Sequence, residues 1–178
     1  MDQLFAPWRI EWVKRDRPAD EDGCPFCDLP EAGNDESALI VARSDHAYVL
    51  LNNAPYNPGH AMIIPYRHVT KYQHLDEAEL LDCERLTQRT LDSFEASMNP
   101  DGFNTGRNLG GAGGGSIGHL HTHVVPRWRG DTNFMAIIDE TKVIVEALEA
   151  TYDSLHQAFS DQAGTSRSEH GAIRLEFD

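Results

Sequence analysis

Apolar residues along the chain follow two spacings, one typical of strands and one typical of helices. Short apolar runs at 38–42, 47–51 and 60–65 are separated by turn-forming residues and predict three strands. From 76 to 98, apolar residues recur every three or four positions, which predicts an amphipathic helix, and 141–159 repeats this spacing. The pattern predicts an α+β fold, an antiparallel β-sheet with two packed helices.

The remaining segments suggest how the chain is organised. Further strands are predicted at 103–109 and 133–138, and a length of 178 residues suits one domain. Residues 1–22 carry large aromatic side chains among charges and are interpreted as an arm that docks on the domain or on a partner subunit. Residues 23–160 are interpreted as the domain, and the polar residues 161–178 as a C-terminal tail.

Composition narrows the classes of partner. The chain has 29 acidic and 15 basic residues and a net charge of −14 at pH 7, so we expect no nonspecific binding to nucleic acid or to an anionic membrane. It contains no apolar run of about 18 residues that would predict a membrane span. The 3 cysteines form no disulfide framework and the start of the chain lacks signal-peptide features, so we expect a cytoplasmic location.

Residues 119–125, His-Leu-His-Thr-His-Val-Val, carry the strongest chemical signal in the chain. A period of two predicts a strand on which His119, His121 and His123 face the same side, with Cα atoms roughly 6.5–7 Å apart. Each buried imidazole needs hydrogen-bond partners, so packing alone explains such a row poorly. Two functions remain open at this point: an imidazole nucleophile assisted by its neighbours, or a metal bound by two or three of the histidines.

A glycine-rich run leads directly into the histidines. Residues 110–115 read Gly-Gly-Ala-Gly-Gly-Gly. Such a run lets the backbone approach a ligand closely and present its amide N–H groups, which suits a phosphate. The run taken alone is also typical of a flexible linker. Together with the adjacent histidines it predicts a site for phosphorus chemistry.

The histidine segment resembles the signature of the histidine triad (HIT) superfamily. Upstream, 50–52 and 57–65 (Asn-Pro-Gly-His-Ala-Met-Ile-Ile-Pro) are similar to another block of that family, and the resemblance covers about residues 23–140. It implies the HIT fold, a homodimer, and a nucleotide held over the sheet. It also implies that the middle histidine attacks an α-phosphorus to form a nucleotidyl-histidine intermediate.

The resemblance also implies roles for individual residues. His121 would be the nucleophile, and His123 would contact the phosphate or the leaving group. His60 would support the histidine row from the neighbouring strand. Ser116 matches a hydroxyl that contacts the leaving-group side, and Asn52 matches a polar residue that binds ribose.

The branch of the family is indicated by residues around the glycine run. Many small hydrolases of the family carry glutamine where this chain has Gly115. The segments around Asn108, Gly115, Ser116 and Trp128 resemble instead the bacterial diadenosine tetraphosphate phosphorylases, in which the matching residues would line the nucleotide and phosphate site. The resemblance implies adenine nucleotides or diadenosine polyphosphates as ligands and no organic cofactor. Inorganic phosphate or water would discharge the intermediate, giving phosphorolysis or hydrolysis.

Two cysteines near the start of the domain suggest a metal. Cys24 and Cys27 are spaced as half of a tetrahedral zinc site, although a buried pair of free thiols is the simpler interpretation. In zinc-bearing members of the superfamily, similar cysteines pair with two histidines, and the matching positions are His68 and His119. The resemblance therefore implies a structural zinc site that includes the first histidine of the row.

Three other functions remain open on the sequence. One is an adenosine phosphoramidate hydrolase that uses the same nucleophile. Another is a nucleotide-binding or scaffold protein with little turnover. The third is a metal-dependent hydrolase in which all three histidines are metal ligands.

Overall fold

The computed structural model describes residues 23–115, 117–131 and 147–177. The predicted arm at 1–22 and the predicted strand at 133–138 lie outside the described residues. Within the described part of the chain, no helix is both long and apolar enough to cross a bilayer.

The secondary structure elements are numbered here in chain order. The helices are α1 (Pro25–Asp28), α2 (Asp35–Ala38), α3 (Glu77–Met98) and α4 (Leu148–Ser160). The strands are β1 (Ile40–Arg43), β2 (Ala47–Leu51), β3 (Ala61–Pro65), β4 (Gly102–Gly106), β5 (Thr122–Arg127), β6 (Thr165–Arg167) and β7 (Ile173–Leu175). Short 3₁₀ turns occur at Leu29–Glu31, Tyr72–His74 and Gly111–Gly113.

The strands form one sheet in the order β4-β5-β3-β2-β1-β7-β6. Neighbouring strands are antiparallel except β1 and β7, which run parallel. The expected α+β class is therefore confirmed, but the sheet is mixed rather than wholly antiparallel. β4 ends at Gly106, earlier than predicted, because Gly106 pairs with His123 near the start of its partner strand.

Residues 161–177 of the C-terminal segment do not form the polar tail that we expected for 161–178. They contribute β6 and β7 to the sheet, and Ile173 and Leu175 are buried in the core. The backbone N–H of Ala172 donates to the buried carboxylate of Asp35, which fixes the segment beside β1. The segment is therefore part of the folded domain.

Both faces of the central sheet are buried. In β2, Val49 and Leu51 pack in the core that includes the helices, whereas Tyr48 and Leu50 belong to a second cluster. The helical residues of the first core include Leu86 and Phe94 from α3 and Leu155 and Phe159 from α4. Burial on both sides explains why β1, β2 and β3 are continuous apolar runs. Each fully buried large apolar side chain contributes about 1.5–3 kcal/mol.

Local signals define the ends of α3. The carboxylate of Asp76 accepts from the backbone N–H of Glu79, and the Glu79 carboxylate accepts from the N–H of Asp76, forming a capping box. The helix ends at Asn99, which has a left-handed backbone with φ of 46°. This matches the helix predicted over 76–98. α4 begins at Leu148, and most of the preceding segment of its predicted range lies outside the described residues.

The histidine row does not lie wholly on a strand. β5 begins at Thr122, so only His123 is within it, and the two earlier histidines lie in the segment that leads into the strand. His119 and His121 are nevertheless buried. The prediction of three histidines on one strand is therefore wrong, because the segment bearing the first two has no ladder pairing with β3 or β4.

Candidate functional site

A cavity of about 230 Å³ lies on the sheet face opposite α3 and α4. Its apolar lining includes Phe26, Leu29, Ala38, Leu50, Met62 and Ile117. Its polar lining includes Asn52, Asn53, Asn108, His121 and His123. The combination of apolar walls and a few convergent polar groups is typical of a small-molecule site.

The register of β3 and β5 brings two predicted catalytic residues together. Met62 pairs with His123, and His60 lies just before β3, two residues from Met62. Side chains two residues apart in extended backbone share a face, so His60 and His123 approach each other. Nε2 of His60 lies 2.9 Å from Nδ1 of His123.

Backbone contacts fix the tautomers of this histidine pair. The backbone N–H of Tyr56 donates to Nδ1 of His60 at 3.1 Å, so the neutral His60 ring carries its proton on Nε2. That proton is donated to Nδ1 of His123, which leaves the His123 proton on Nε2. His123 can therefore act as a hydrogen-bond donor in the site. The ring of Tyr56 also stacks on His60, with centroids 4.7 Å apart.

His121 has the opposite tautomer. Its Nδ1 lies 2.8 Å from the backbone carbonyl oxygen of His119, and a carbonyl only accepts hydrogen bonds. Nδ1 therefore carries the proton, and Nε2 is the unprotonated nitrogen of the neutral ring. Since His121 lines the cavity, this ring has the protonation state that a nucleophile requires.

Asn52 contacts the histidine pair directly. Its side-chain amide nitrogen lies 3.3 Å from Nδ1 of His60, and its side-chain oxygen accepts from the backbone N–H of Ala54 at 2.9 Å. The same residue lines the cavity. Asn52 thus supports the His60 tautomer, and its expected contact with a ribose stays a prediction.

The glycine run forms a compact turn beside Asn108. The backbone N–H of Gly115 donates to the carbonyl of Gly110 at 3.1 Å, and a Cβ at Gly115 would lie 3.1 Å from the backbone oxygens of Asn108 and Gly110. A larger residue at Gly115 would therefore require the turn to shift. Asn108 and Gly114 line the cavity, while Ser116 lies outside the described residues.

Trp128 is not among the residues that line the cavity within the described part of the chain. Its backbone N–H donates to the carboxylate of Asp131, which also pairs with Arg127 at 2.6 Å and accepts from Asn57. The hydrogen bonds from Arg127 are the main reason that the pKa of Asp131 falls to about 2. This network holds the turn after β5, and the predicted nucleotide contact of Trp128 stays a prediction.

The four predicted metal ligands come together at the other end of the histidine row. One ligand atom from each of Cys24, Cys27, His68 and His119 lies within 4.8 Å of the others. Nδ1 of His119 is 3.3 Å from Sγ of Cys24 and 3.6 Å from Sγ of Cys27, and Cys27 Sγ is 3.4 Å from Nδ1 of His68. Tetrahedral zinc bonds imply S···N separations of about 3.6 Å.

The tautomer of His119 leaves one ring nitrogen available to a metal. Nε2 of this ring lies 2.9 Å from the carbonyl oxygen of Pro65 and must donate, so Nδ1 holds a lone pair directed at the two sulfurs. Burial lowers the pKa of His119 to about 4, which keeps the ring neutral at pH 7. Burial and the neighbouring Cys24 raise the pKa of the Cys27 thiol to about 11. A divalent cation supplies the positive charge that would favour the thiolates.

Two aromatic residues of the site were not predicted from the sequence. Tyr56 stacks on His60, and Phe26 lines the cavity and contacts the ring of His121 edge-on, with centroids 5.2 Å apart. The sequence did contain a signal for Phe26, because it lies between the two cysteines. A metal site that includes the first histidine of the row would bring Phe26 close to the histidines.

The chain is similar to known proteins over most of the domain. The model of the HIT domain matches residues 34–130. A Mycobacterium tuberculosis protein named AP-4-A phosphorylase is 41% identical over 158 residues, covering 85% of this chain and 80% of the relative. A Dictyostelium discoideum bis(5'-adenosyl)-triphosphatase is 31% identical over 92 residues, covering 52% of this chain and 62% of the relative.

Solved structures share the fold. A zinc-bound histidine triad family protein from Mycobacterium smegmatis superposes with a TM-score of 0.64 at 24% identity, covering 78% of this chain and 94% of that one. A histidine triad nucleotide-binding protein from Sulfolobus tokodaii gives a TM-score of 0.65 at 22% identity, covering 78% and 93%. The expected HIT fold is confirmed, and the enzyme names of the relatives confirm the expectation of a HIT-family enzyme. From the family match over more than half of its length and the 41% identity over most of it, the chain belongs to the HIT domain family.

Proposed function

We propose that this protein cleaves diadenosine polyphosphates through a covalent nucleotidyl intermediate on His121. The observation that carries the proposal is the hydrogen bond from Nδ1 of His121 to the carbonyl of His119, which leaves Nε2 as the available nucleophilic nitrogen in a cavity with apolar walls and a few polar groups. The AP-4-A phosphorylase relative, 41% identical, supports the choice of substrate.

The proposed reaction has two steps. In the first, Nε2 of His121 attacks the α-phosphorus, a P–N bond forms, and the P–O bond to the leaving nucleotide breaks. His123 carries its proton on Nε2 and would donate to a phosphate oxygen or to the leaving oxygen, and His60 preserves that tautomer. In the second step, an acceptor oxygen attacks the phosphorus and releases His121.

The proposed acceptor is inorganic phosphate. Phosphate attack on adenylyl-histidine yields ADP, and the first step has already released ATP from diadenosine tetraphosphate. The phosphorylase relative and the glycine at position 115 favour this acceptor. We further propose that Asn108, Gly115 and Ser116 contact the phosphates, and that Asn52 and Trp128 contact the nucleotide.

Hydrolysis is the second candidate. The triphosphatase relative, 31% identical, favours water as the acceptor, which would give AMP and ATP from the same substrate. Adenosine phosphoramidate cleavage would use the same intermediate. The homodimer implied by the family resemblance stays a prediction.

The metal that we propose is structural zinc, held by Cys24, Cys27, His68 and His119. The three S···N separations of 3.3, 3.4 and 3.6 Å and the lone pair on Nδ1 of His119 fit this ion. When bound, zinc would supply charge that stabilises the thiolates and a crosslink between α1 and the histidine row. His121 and His123 are then left for the reaction, which is the reason that we do not propose three histidine ligands around a catalytic metal.

The proposal is tested by incubating the protein with diadenosine tetraphosphate, with and without inorganic phosphate, and resolving the products. ADP and ATP formed only with phosphate would support phosphorolysis. AMP and ATP formed regardless of phosphate would replace it with hydrolysis. Binding of adenine nucleotides without any turnover would support a scaffold protein and refute the enzymatic proposal. A His121→Ala sample prepared in parallel controls for contaminating activity.

A further inference from the structure

The proposed metal site (Cys24, Cys27, His68 and His119), called the metal cluster below, shares one short segment with the nucleotide cavity. That segment is α1 together with Cys24, which precedes it. Cys24 and Cys27 contribute to the cluster, and Phe26 between them lines the cavity. The Phe26 ring is 4% exposed, and its centroid lies 5.2 Å from that of His121 and 5.9 Å from that of His119. One turn of backbone thus reaches the metal cluster, the cavity and the proposed nucleophile.

Contacts from outside the helix hold α1 in this position. The helix has only 4 residues, and an isolated turn of that length is unstable in water. The hydroxyl of Tyr48 donates to the carbonyl of Phe26 at 2.6 Å, and the Phe26 side chain packs in the cluster on this face of the sheet. Cys24 and Leu29 pack against the same cluster, and Arg43 donates to the carbonyl of Pro30 in the turn that follows. The two sulfurs lie beside His68 and His119.

We propose that Phe26 is a positioning residue whose placement depends on the metal. With metal bound, Phe26 forms a wall of the nucleoside pocket and restricts rotation of the His121 ring. Metal loading thereby sets nucleotide affinity without a metal contact to the substrate. This inference rests on the proposed function, because it takes an adenine nucleotide as the ligand of the cavity.

The geometry of the ring contact supports this role. The Phe26 and His121 rings are inclined at 71°, an edge-to-face arrangement that is favourable for aromatic pairs. The hydrogen bond from Nδ1 to the His119 carbonyl anchors one side of the His121 ring, and Phe26 packs against the ring from α1. If α1 moves, the cavity loses an apolar wall and His121 loses this contact.

The test measures AMP binding by calorimetry and zinc content by elemental analysis, using the full chain. Phe26→Leu keeps an apolar side chain but loses the aromatic ring, and we expect full zinc occupancy with AMP binding weakened about 3- to 10-fold. Phe103→Leu is the matched control, because Phe103 packs with the helical core away from α1. It should leave AMP binding unchanged.

Zinc removal from the wild-type protein gives the second arm. We expect a similar loss of AMP affinity while circular dichroism retains the native signal, and little further loss when zinc is removed from Phe26→Leu. The imidazole NMR signals of His121 should shift in both zinc-free wild type and Phe26→Leu. If the zinc-free protein unfolds, the zinc-loaded Phe26→Leu variant still tests the positioning role. Exchange of zinc for the larger cadmium ion then tests the dependence on the metal: AMP affinity should change in wild type and not in Phe26→Leu, and no change in wild type would overturn it.

The outcomes separate this inference from the proposed function. Unchanged AMP affinity and unchanged His121 signals in Phe26→Leu would overturn the positioning role, even if wild type cleaves diadenosine tetraphosphate. Additive losses from the substitution and from zinc removal would overturn the dependence of Phe26 on the metal. A wild-type protein that neither binds AMP nor cleaves the substrate would refute the proposed function and this inference together.

Discussion

The first two histidines of the row differ in which ring nitrogen carries the proton. At the metal end, Nε2 of His119 donates to the carbonyl of Pro65, and Nδ1 is directed at the cysteine sulfurs. At the cavity end, Nδ1 of His121 donates to the carbonyl of His119, and Nε2 is unprotonated. The two residues are buried and only two positions apart, yet their available nitrogens are different.

This difference shows that a carbonyl acceptor, and not the residue type, selects the available nitrogen of His119 and of His121. A neutral imidazole has one donor and one acceptor, so a carbonyl on one nitrogen leaves a lone pair on the other. His119 connects the two ends, because its ring faces the metal cluster while its backbone carbonyl fixes His121.

The largest effect is expected from removing the proposed nucleophile. His121→Ala should reduce turnover of diadenosine tetraphosphate by a factor on the order of 10⁴ or more, because no P–N intermediate can form. Zinc content and AMP binding should be nearly retained. Rapid-quench detection of radiolabelled adenylyl-protein in wild type, and its absence in the variant, checks the reason. Labelling of His121→Ala at the wild-type level would exclude His121 as the nucleophile.

A substitution at His119 tests the proposed metal site. His119→Ala removes one of the four proposed ligands, so zinc affinity should fall more than about 100-fold, and the melting temperature should fall with it. Competition with a zinc-binding dye measures the affinity. His121→Ala is the matched control, two positions away, and should keep its zinc. Equal zinc affinity in both variants would mean that the row is not divided as proposed.

A smaller effect is expected at His60. His60→Phe keeps an aromatic ring beside Tyr56 but removes the donor to His123, so kcat should fall roughly 10- to 100-fold with little change in KM. His60→Gln restores a side-chain N–H donor and should recover part of the loss. Steady-state kinetics of the two variants distinguish hydrogen bonding from packing, since equal losses in both would favour packing.

The smallest effect is expected in the turn after β5, where the carboxylate of Asp131 accepts the hydrogen bonds. Hydrogen bonds from Arg127 lower the pKa of Asp131 from 3.8 to about 2, so its stabilisation is complete above about pH 4 and is lost as the pH falls toward 2. Asp131→Asn should cost about 1–2 kcal/mol at pH 7.

Urea unfolding across a pH series measures this contribution. The difference between wild type and Asp131→Asn should shrink from pH 4 to pH 2, because the wild-type carboxylate is then protonated. A difference that stays constant over this range would show that the ion pair with Arg127 is not its source.

Much of the fold followed from local patterns. Strands β2 and β3 and helix α3 were predicted nearly to the residue, because each is a continuous apolar run or a capped helix whose signal lies within its own residues. β7 was missed because it alternates over only 3 residues in polar surroundings. Its parallel pairing with β1 depends on Asp35, which accepts from Ser168 and Ala172 more than 130 positions away.

For the candidate site, the spacing of the histidines, of Cys24 and Cys27, and of the glycine run was sufficient to predict the family, and it also indicated the residues that we propose for catalysis and metal binding. These features are visible in the sequence because catalysis and metal binding require particular side chains at particular intervals. The tautomers, the ring of Phe26 against His121 and the meeting of the four ligands required the tertiary structure. Their partners come from distant positions, as in the contact of His119 with Pro65, and only packing of the sheet brings such atoms within hydrogen-bond distance.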